Sequence, residues 1–283
     1  MSNSIILIAE TGSDIPADLA QQWGIHLVPM HVSMGSQTFD DGTFPTEDIC
    51  AWYNKTGTAP TTSASTPYDF ETVLDQIHQQ YPDSQILHLA YSAITTCSYQ
   101  NALLASEGRG YVTSVDTKHV SVGQGAVVLS VAKWLRENPQ ATVEEAAQAA
   151  REFAAKTQMC FIPKNLDYLR AGGRVSNAVA LVGNLLNLHP LIEIIDGKLI
   201  AGKKYRGNVK KLIPGLIREF SEKHNLNKDH IYFIHSPYLE EDVKEAAEAA
   251  AKSLGFRHVT WMKTGCVITC HSGPGAFGIV GSC

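Results

Sequence analysis

The chain has 283 residues, 44% of them hydrophobic and 18% charged, with 23 basic against 28 acidic side chains and a formal net charge of -5. This composition suits one large or two ordinary globular domains and excludes a disordered chain. With no basic block, and no apolar run near the roughly 18 residues of a membrane span, neither nucleic acid nor a membrane is expected as a partner.

Taken in chain order, Met1 to Ser4 carry no basic segment and the apolar run 5–9 is too short for a signal peptide, so it reads as the first strand of a cytoplasmic protein. Ser13-Asp14-Ile15-Pro16 looks like a helix start, with Asp14 as cap and Pro16 at an early helical position. Residues 25–32 read as a second strand. Helices are expected over 49–53 and 68–79, separated by a Thr/Ser-rich loop at 58–67. A strand at 86–91, a helix at 98–107, a strand at 111–115 and a helix at 126–136 continue the alternation. That rhythm predicts an α/β sandwich with a mainly parallel sheet over residues 1–158.

Thr142 and Glu145 form a capping box for an alanine-rich helix over 143–156. The rhythm then changes to an α+β domain over 159–283. Asp196-Gly197 between apolar runs spells a two-residue hairpin turn. A strand at 231–235, a helix at 241–254 closed by Gly255, and strands at 259–262 and 267–270 complete it.

Six cysteines show no C-x-x-C pair and read as free thiols. On a strand, Cys266 and Cys270 would face away from His271, so the three read as buried residues rather than metal ligands. Two hydroxyl clusters are candidate binding loops: Thr61-Thr62-Ser63 with Ser65 and Thr66, and Ser92, Thr95, Thr96 and Ser98 after the strand at 86–91. In an open α/β sheet, ligands bind beyond the carboxyl ends of the strands, where the second cluster would lie. On residue types alone, both also suit capped turns. Arg170 and Arg174 bracket Gly172-Gly173, a pattern suited to carboxylate or phosphate oxygens or to a solvated loop.

In this order, the segments resemble the DegV family of bacterial proteins over nearly the whole chain. The resemblance rests on Ala9-Glu10-Thr11-Gly12-Ser13-Asp14-Ile15-Pro16, Thr61-Thr62-Ser63 and Asp116-Thr117-Lys118 with Gly123-Gln124-Gly125. It continues through Tyr168 to Ser176, Gly183-Asn184-Leu185-Leu186-Asn187 to Pro190, Arg206-Gly207 and His271-Ser272-Gly273-Pro274-Gly275-Ala276. It implies two domains with a long-chain fatty acid in an apolar tunnel between them. It further implies a binding subunit of fatty acid kinase: no catalysis or cofactor of its own, and a partner kinase that phosphorylates the bound carboxylate for phospholipid synthesis. By the same resemblance Thr62 and Thr96 would hold the carboxylate, with Ser63 and Ser92 in the same loops and His271 supporting the hydroxyls. Arg170, Arg174 and Arg206 would meet the partner or the phosphate.

The loops depart from the family pattern. Cys97 stands where a glycine is usual, a strained place if its φ is positive. Ala64-Ser65 replace Gln-Pro, and Glu10 replaces an Asp. A branched, hydroxylated or bile-acid-like carboxylate is therefore admitted as ligand. The rival readings are an acyl-group enzyme using Cys97 or His271, and a lipid-sensing regulator.

Overall fold

The structure is a computed structural model that describes residues 5–164, 166–174 and 188–283. Its first half runs β1 (Ile5–Glu10), α1 (Ala17–Trp23), β2 (Ile25–Val28), β3 (His31–Met34), β4 (Gln37–Asp40), α2 (Glu47–Thr56) and β5 (Thr61–Ser63). It continues with α3 (Pro67–Gln80), β6 (Gln85–Ala90), α4 (Ser98–Ala105), β7 (Val112–Asp116), α5 (Ser121–Glu137) and α6 (Val143–Lys156). Four strands form a wholly parallel sheet in the order β2-β1-β6-β7. β1 and β6 are central and, like their sequences, apolar along most of their length, because helices cover both faces. Thr66 and Asp69 close a capping box on α3 with Pro67 at its first position, and Thr142 and Glu145 close the one expected on α6.

The second half holds β8 (Thr157–Ile162), α7 (Leu166–Gly172), β9 (Leu188–Ile195), β10 (Lys198–Arg206), α8 (Val209–Lys223) and β11 (His230–His235). It ends with α9 (Glu241–Ser253), β12 (His258–Lys263), α10 (Cys266–Ser272) and β13 (Phe277–Ser282). Its six strands form one mixed sheet in the order β10-β9-β8-β13-β11-β12. Asp196 and Gly197, both at positive φ (47° and 79°), make the tight β9–β10 turn. The mixed α/β architecture with a separate α+β half is the one expected. No helix among the described residues is long and apolar enough to cross a membrane.

Several local expectations are corrected. Residues 25–32 are two strands broken at Pro29-Met30: β2 stays in the parallel sheet, while β3 joins a three-stranded antiparallel sheet, β4-β3-β5. The loop at 58–67 contains β5 of that sheet. Asp14 caps no helix start. It sits in the left-handed region after a short turn, and Pro16 is the N-cap of α1 rather than a helical residue. The expected last strand at 267–270 is helix α10, and the actual last strand is β13. The segment Gly183 to Asn187, Ser176 and the first four residues lie outside the described residues.

Candidate functional site

The strand order of the parallel sheet reverses between β1 and β6, which opens a crevice at their carboxyl ends. β1 runs on into Thr11 to Asp14. β6 runs on into Tyr91 and the loop that carries Thr95 and Thr96. That loop is fixed from β7: the Asp116 carboxylate accepts the Ala93 N–H at 3.3 Å and the Lys118 N–H at 2.9 Å, and Thr117 donates to the Ala90 carbonyl at 2.7 Å.

Beside this crevice lies a cavity of about 800 Å³, its open mouth included, between the two halves of the chain. Both halves line it with apolar side chains, among them Met30 and Val120 from the first and Met159, Phe161, Leu199 and Ile234 from the second. Thr62, Ser63, Thr95, Thr96, His271 and Arg174 supply polar groups.

Strand alternation turns Thr62 away from the exposed Thr61 and Ser63 and toward α10. Its Oγ1 lies 2.9 Å from His271 Nε2. Nδ1 of the same ring is buried without a partner among the described residues and faces the α-carbon of Gly172. A bare lone pair there costs less than a stranded N–H, so the proton belongs on Nε2. His271 then donates to Thr62, which leaves the Thr62 hydroxyl proton free for a ligand. Burial, and secondarily the Arg174 charge, push the His271 imidazole down to about 4, so the ring is neutral at pH 7.

This shift has a testable sign. An unfolded histidine takes its proton near 6.5 and native His271 only near 4, so between those values the unfolded state holds the extra proton. Stability is expected to fall as pH drops through that window, by at most about 3 kcal/mol, and less where water in the open cavity screens the ring. Urea titrations from pH 7 to 4 should show a shallower pH slope for His271→Asn than for the wild type.

The same ring makes Gly172 a place where only a glycine fits. A Cβ there would lie 2.0 Å from His271 Nδ1. Gly172→Ala is expected to push the imidazole off Thr62 and to weaken ligand binding by about ten- to a hundredfold, up to the worth of one hydrogen bond to a charged group. Titration calorimetry would read the loss, with circular dichroism confirming an intact fold.

α10 is held at its other end by the first half of the chain. Asp14 accepts the Gly265 N–H at 2.7 Å, and Asp41 accepts those of Cys266 at 2.8 Å and Val267 at 3.3 Å. Asp14 is also hydrogen-bonded by the Ser121 hydroxyl. Burial raises both carboxyls above their ordinary range, and for Asp14 the neighbouring Asp41 adds to the rise. Deeper in the parallel sheet, buried Glu10 accepts from the Tyr91 N–H and the Gln124 amide, with His88 Nε2 3.4 Å away. The sequence marked none of these carboxylates as supports, since their partners lie 78 to 251 positions away.

The structure thus brings together Thr62, Ser63, Thr96, His271 and Arg174. Arg174 bonds the Gly172 carbonyl at 2.9 Å and stands at the cavity. Ser92 points elsewhere: it is buried, donates to the Gly197 carbonyl at 2.8 Å and so docks the β9–β10 turn on the head loop. Arg170 and Arg206 are exposed and lie outside the cavity lining, Arg170 at 3.7 Å from Asp167. Cys97 is exposed, lies outside the lining, and has φ -85°, so no left-handed strain arises from it. The structure does not place it in the cavity with His271. As a helix, α10 sets Cys266 and Cys270 on one face, both buried.

Comparison with known proteins agrees with this architecture. A family model described as an uncharacterised protein, DegV family, matches residues 4–282. A protein of Thermotoga maritima named as a fatty acid-binding protein is 30% identical over 281 residues, covering 96% of this chain and 95% of its own. A DegV domain-containing protein of Deinococcus radiodurans is 29% identical over 98% of this chain and 97% of its own. Among solved structures, a DegV family protein from Thermus thermophilus, described as binding fatty acid, superposes with a TM-score of 0.88 at 27% identity, covering 99% of this chain and all of the other.

Proposed function

Because the chain belongs to the DegV family along nearly its whole length, we propose that it binds a long-chain fatty acid and presents the carboxylate to a partner kinase for acyl-phosphate formation. In this reading it performs no chemistry of its own and works in the cytoplasm. The observation that carries the reading is the hydroxyl–imidazole pair Thr62–His271 at the wall of an otherwise apolar cavity. Thr62 and Thr96 offer hydroxyl protons to the carboxylate. Neutral His271 holds Thr62 in a donating orientation without adding a charge that would have to be buried. Arg174 supplies the positive field, and Arg170, paired with Asp167, together with the exposed Arg206 would meet the partner or the phosphate.

Energetically the tail dominates. Burying about fifteen methylenes at roughly 0.8 kcal/mol each gives about 12 kcal/mol before the costs of association. The head contacts orient the carboxylate and spare it an unpaired burial. Native mass spectrometry of the purified protein, followed by organic extraction, should find one fatty acid per chain. A protein that is empty and stays empty with a panel of fatty acids overturns the binding. Incubating the loaded protein with a fatty acid kinase catalytic subunit and ATP should give a hydroxylamine-trappable acyl phosphate. Its absence overturns the presentation step.

A further inference from the structure

The polar groups that line the cavity fall into two sets, and only one belongs to the head-group site. The second set gathers at the opposite end of α10. The Thr264 N–H bonds the His235 carbonyl at 2.9 Å, which places Thr264 beside Ser236 at the end of β11. Gly265 bonds Asp14, Asp14 is bonded by Ser121, and the Tyr91 phenol sits beside the Ser121 N–H. Tyr91, Ser121, Ser236 and Thr264 all line the cavity.

Two of these hydroxyls are incompletely used. Ser236 is wholly buried and accepts the Ala276 N–H at 2.8 Å, and Tyr91 is 9% exposed. Among the described residues, neither finds an acceptor for its own proton. The first N–H groups of α10 are taken by Asp14 and Asp41, so the helix end offers no site of its own. A buried hydroxyl proton without an acceptor, in the wall of an apolar cavity, calls for a partner from outside the chain.

We propose that Tyr91 and Ser236 form a second polar subsite that takes an oxygen function, a hydroxyl or a keto group, on the chain of the bound acid. The proposal rests on the fatty-acid reading above and narrows its ligand class. The spacing follows from the helix. Cys266 to His271 spans five residues of α10, about 7.5 Å along the axis at 1.5 Å per residue, and extended Gly265, which bonds Asp14, carries the chain about 3 Å further toward the subsite, so the two polar ends stand roughly 10 Å apart. An extended hydrocarbon advances about 1.25 Å per carbon for a ~1.52 Å bond, so the oxygen should sit roughly eight to nine carbons from the carboxylate.

The probes are octadecanoic, 10-hydroxyoctadecanoic and 2-hydroxyoctadecanoic acids, titrated into delipidated protein. The wild type is expected to bind the 10-hydroxy acid about tenfold more tightly than octadecanoic acid, the worth of one well-made buried hydrogen bond, with no such gain for the 2-hydroxy isomer. Tyr91→Phe removes only the hydroxyl and should reduce that ratio to below about threefold, and Ser236→Ala should do the same. A wild type without preference for the 10-hydroxy acid, or a ratio untouched in both variants, overturns the subsite while plain fatty acids still bind. If none of the three acids binds, the fatty-acid reading itself falls, and the subsite with it.

Discussion

Ile268→Trp is expected to cut fatty-acid affinity by more than about a hundredfold while leaving the fold as stable as before. Ile268 lies in the middle of α10, lines the cavity and is only partly buried, so an indole there fills space that the ligand would occupy. If the larger ring displaces four methylenes at roughly 0.8 kcal/mol each, the loss is about 3 kcal/mol, or more than a hundredfold. The partly filled cavity also explains why stability should not suffer, since the added apolar surface gains packing partners. Thr62→Ala is expected to cost less, about 1.5–3 kcal/mol for one hydrogen bond to a charged group. The order of the two losses is the informative result. If Thr62→Ala abolished binding and Ile268→Trp left it intact, the ligand would be a small carboxylate gripped by its head, and the tail argument would be wrong.

The elements that the sequence disclosed are those whose signals are local. The box Thr142–Glu145 and the turn Asp196-Gly197 are decided by residues within three positions of one another, and both form as read. The parallel strands β1 and β6 were legible as apolar runs because they are covered on both faces. The small sheet was not. β4 and β5 are short and largely exposed, with Thr61 and Ser63 facing outward, so they carry no apolar period. Thr62 and His271 were implied by resemblance as site residues, yet their 2.9 Å pairing spans 209 positions and has no sequence signature. Ser92 shows the opposite failure. A hydroxyl in a binding loop looks like a ligand group, but here it is spent on the Gly197 carbonyl.

Helix α10 is the clearest case of tertiary structure overriding local preference, and it sets the last prediction. Val267, Ile268 and Thr269 are β-branched and favour a strand, as the sequence suggested. The helix forms because Asp14 and Asp41, 251 and 225 positions away, accept the N–H groups of its first turn. Asp41→Ala would strand the two N–H groups of Cys266 and Val267, at about 1–3 kcal/mol for each buried donor. A destabilisation of about 3 kcal/mol is expected, with fraying of α10 and displacement of His271 from Thr62. Asp41→Asn keeps an acceptor oxygen and should be nearly neutral at pH 7.

The pH dependence discriminates further. Burial holds the Asp41 carboxyl above its ordinary value, so between that value and the raised one the native state binds the extra proton. Its contribution to stability is therefore greatest at low pH and declines as pH rises through that window, the reverse of the His271 effect. Asp41→Asn has nothing to ionise and should lose this decline, so its stability relative to the wild type should grow from acid to neutral pH. Chemical denaturation at several pH values, with hydrogen exchange of the Cys266 and Val267 amides, would measure both effects. Equal losses in the Ala and Asn variants would show that the charge, rather than the acceptor oxygen, holds the helix that carries His271.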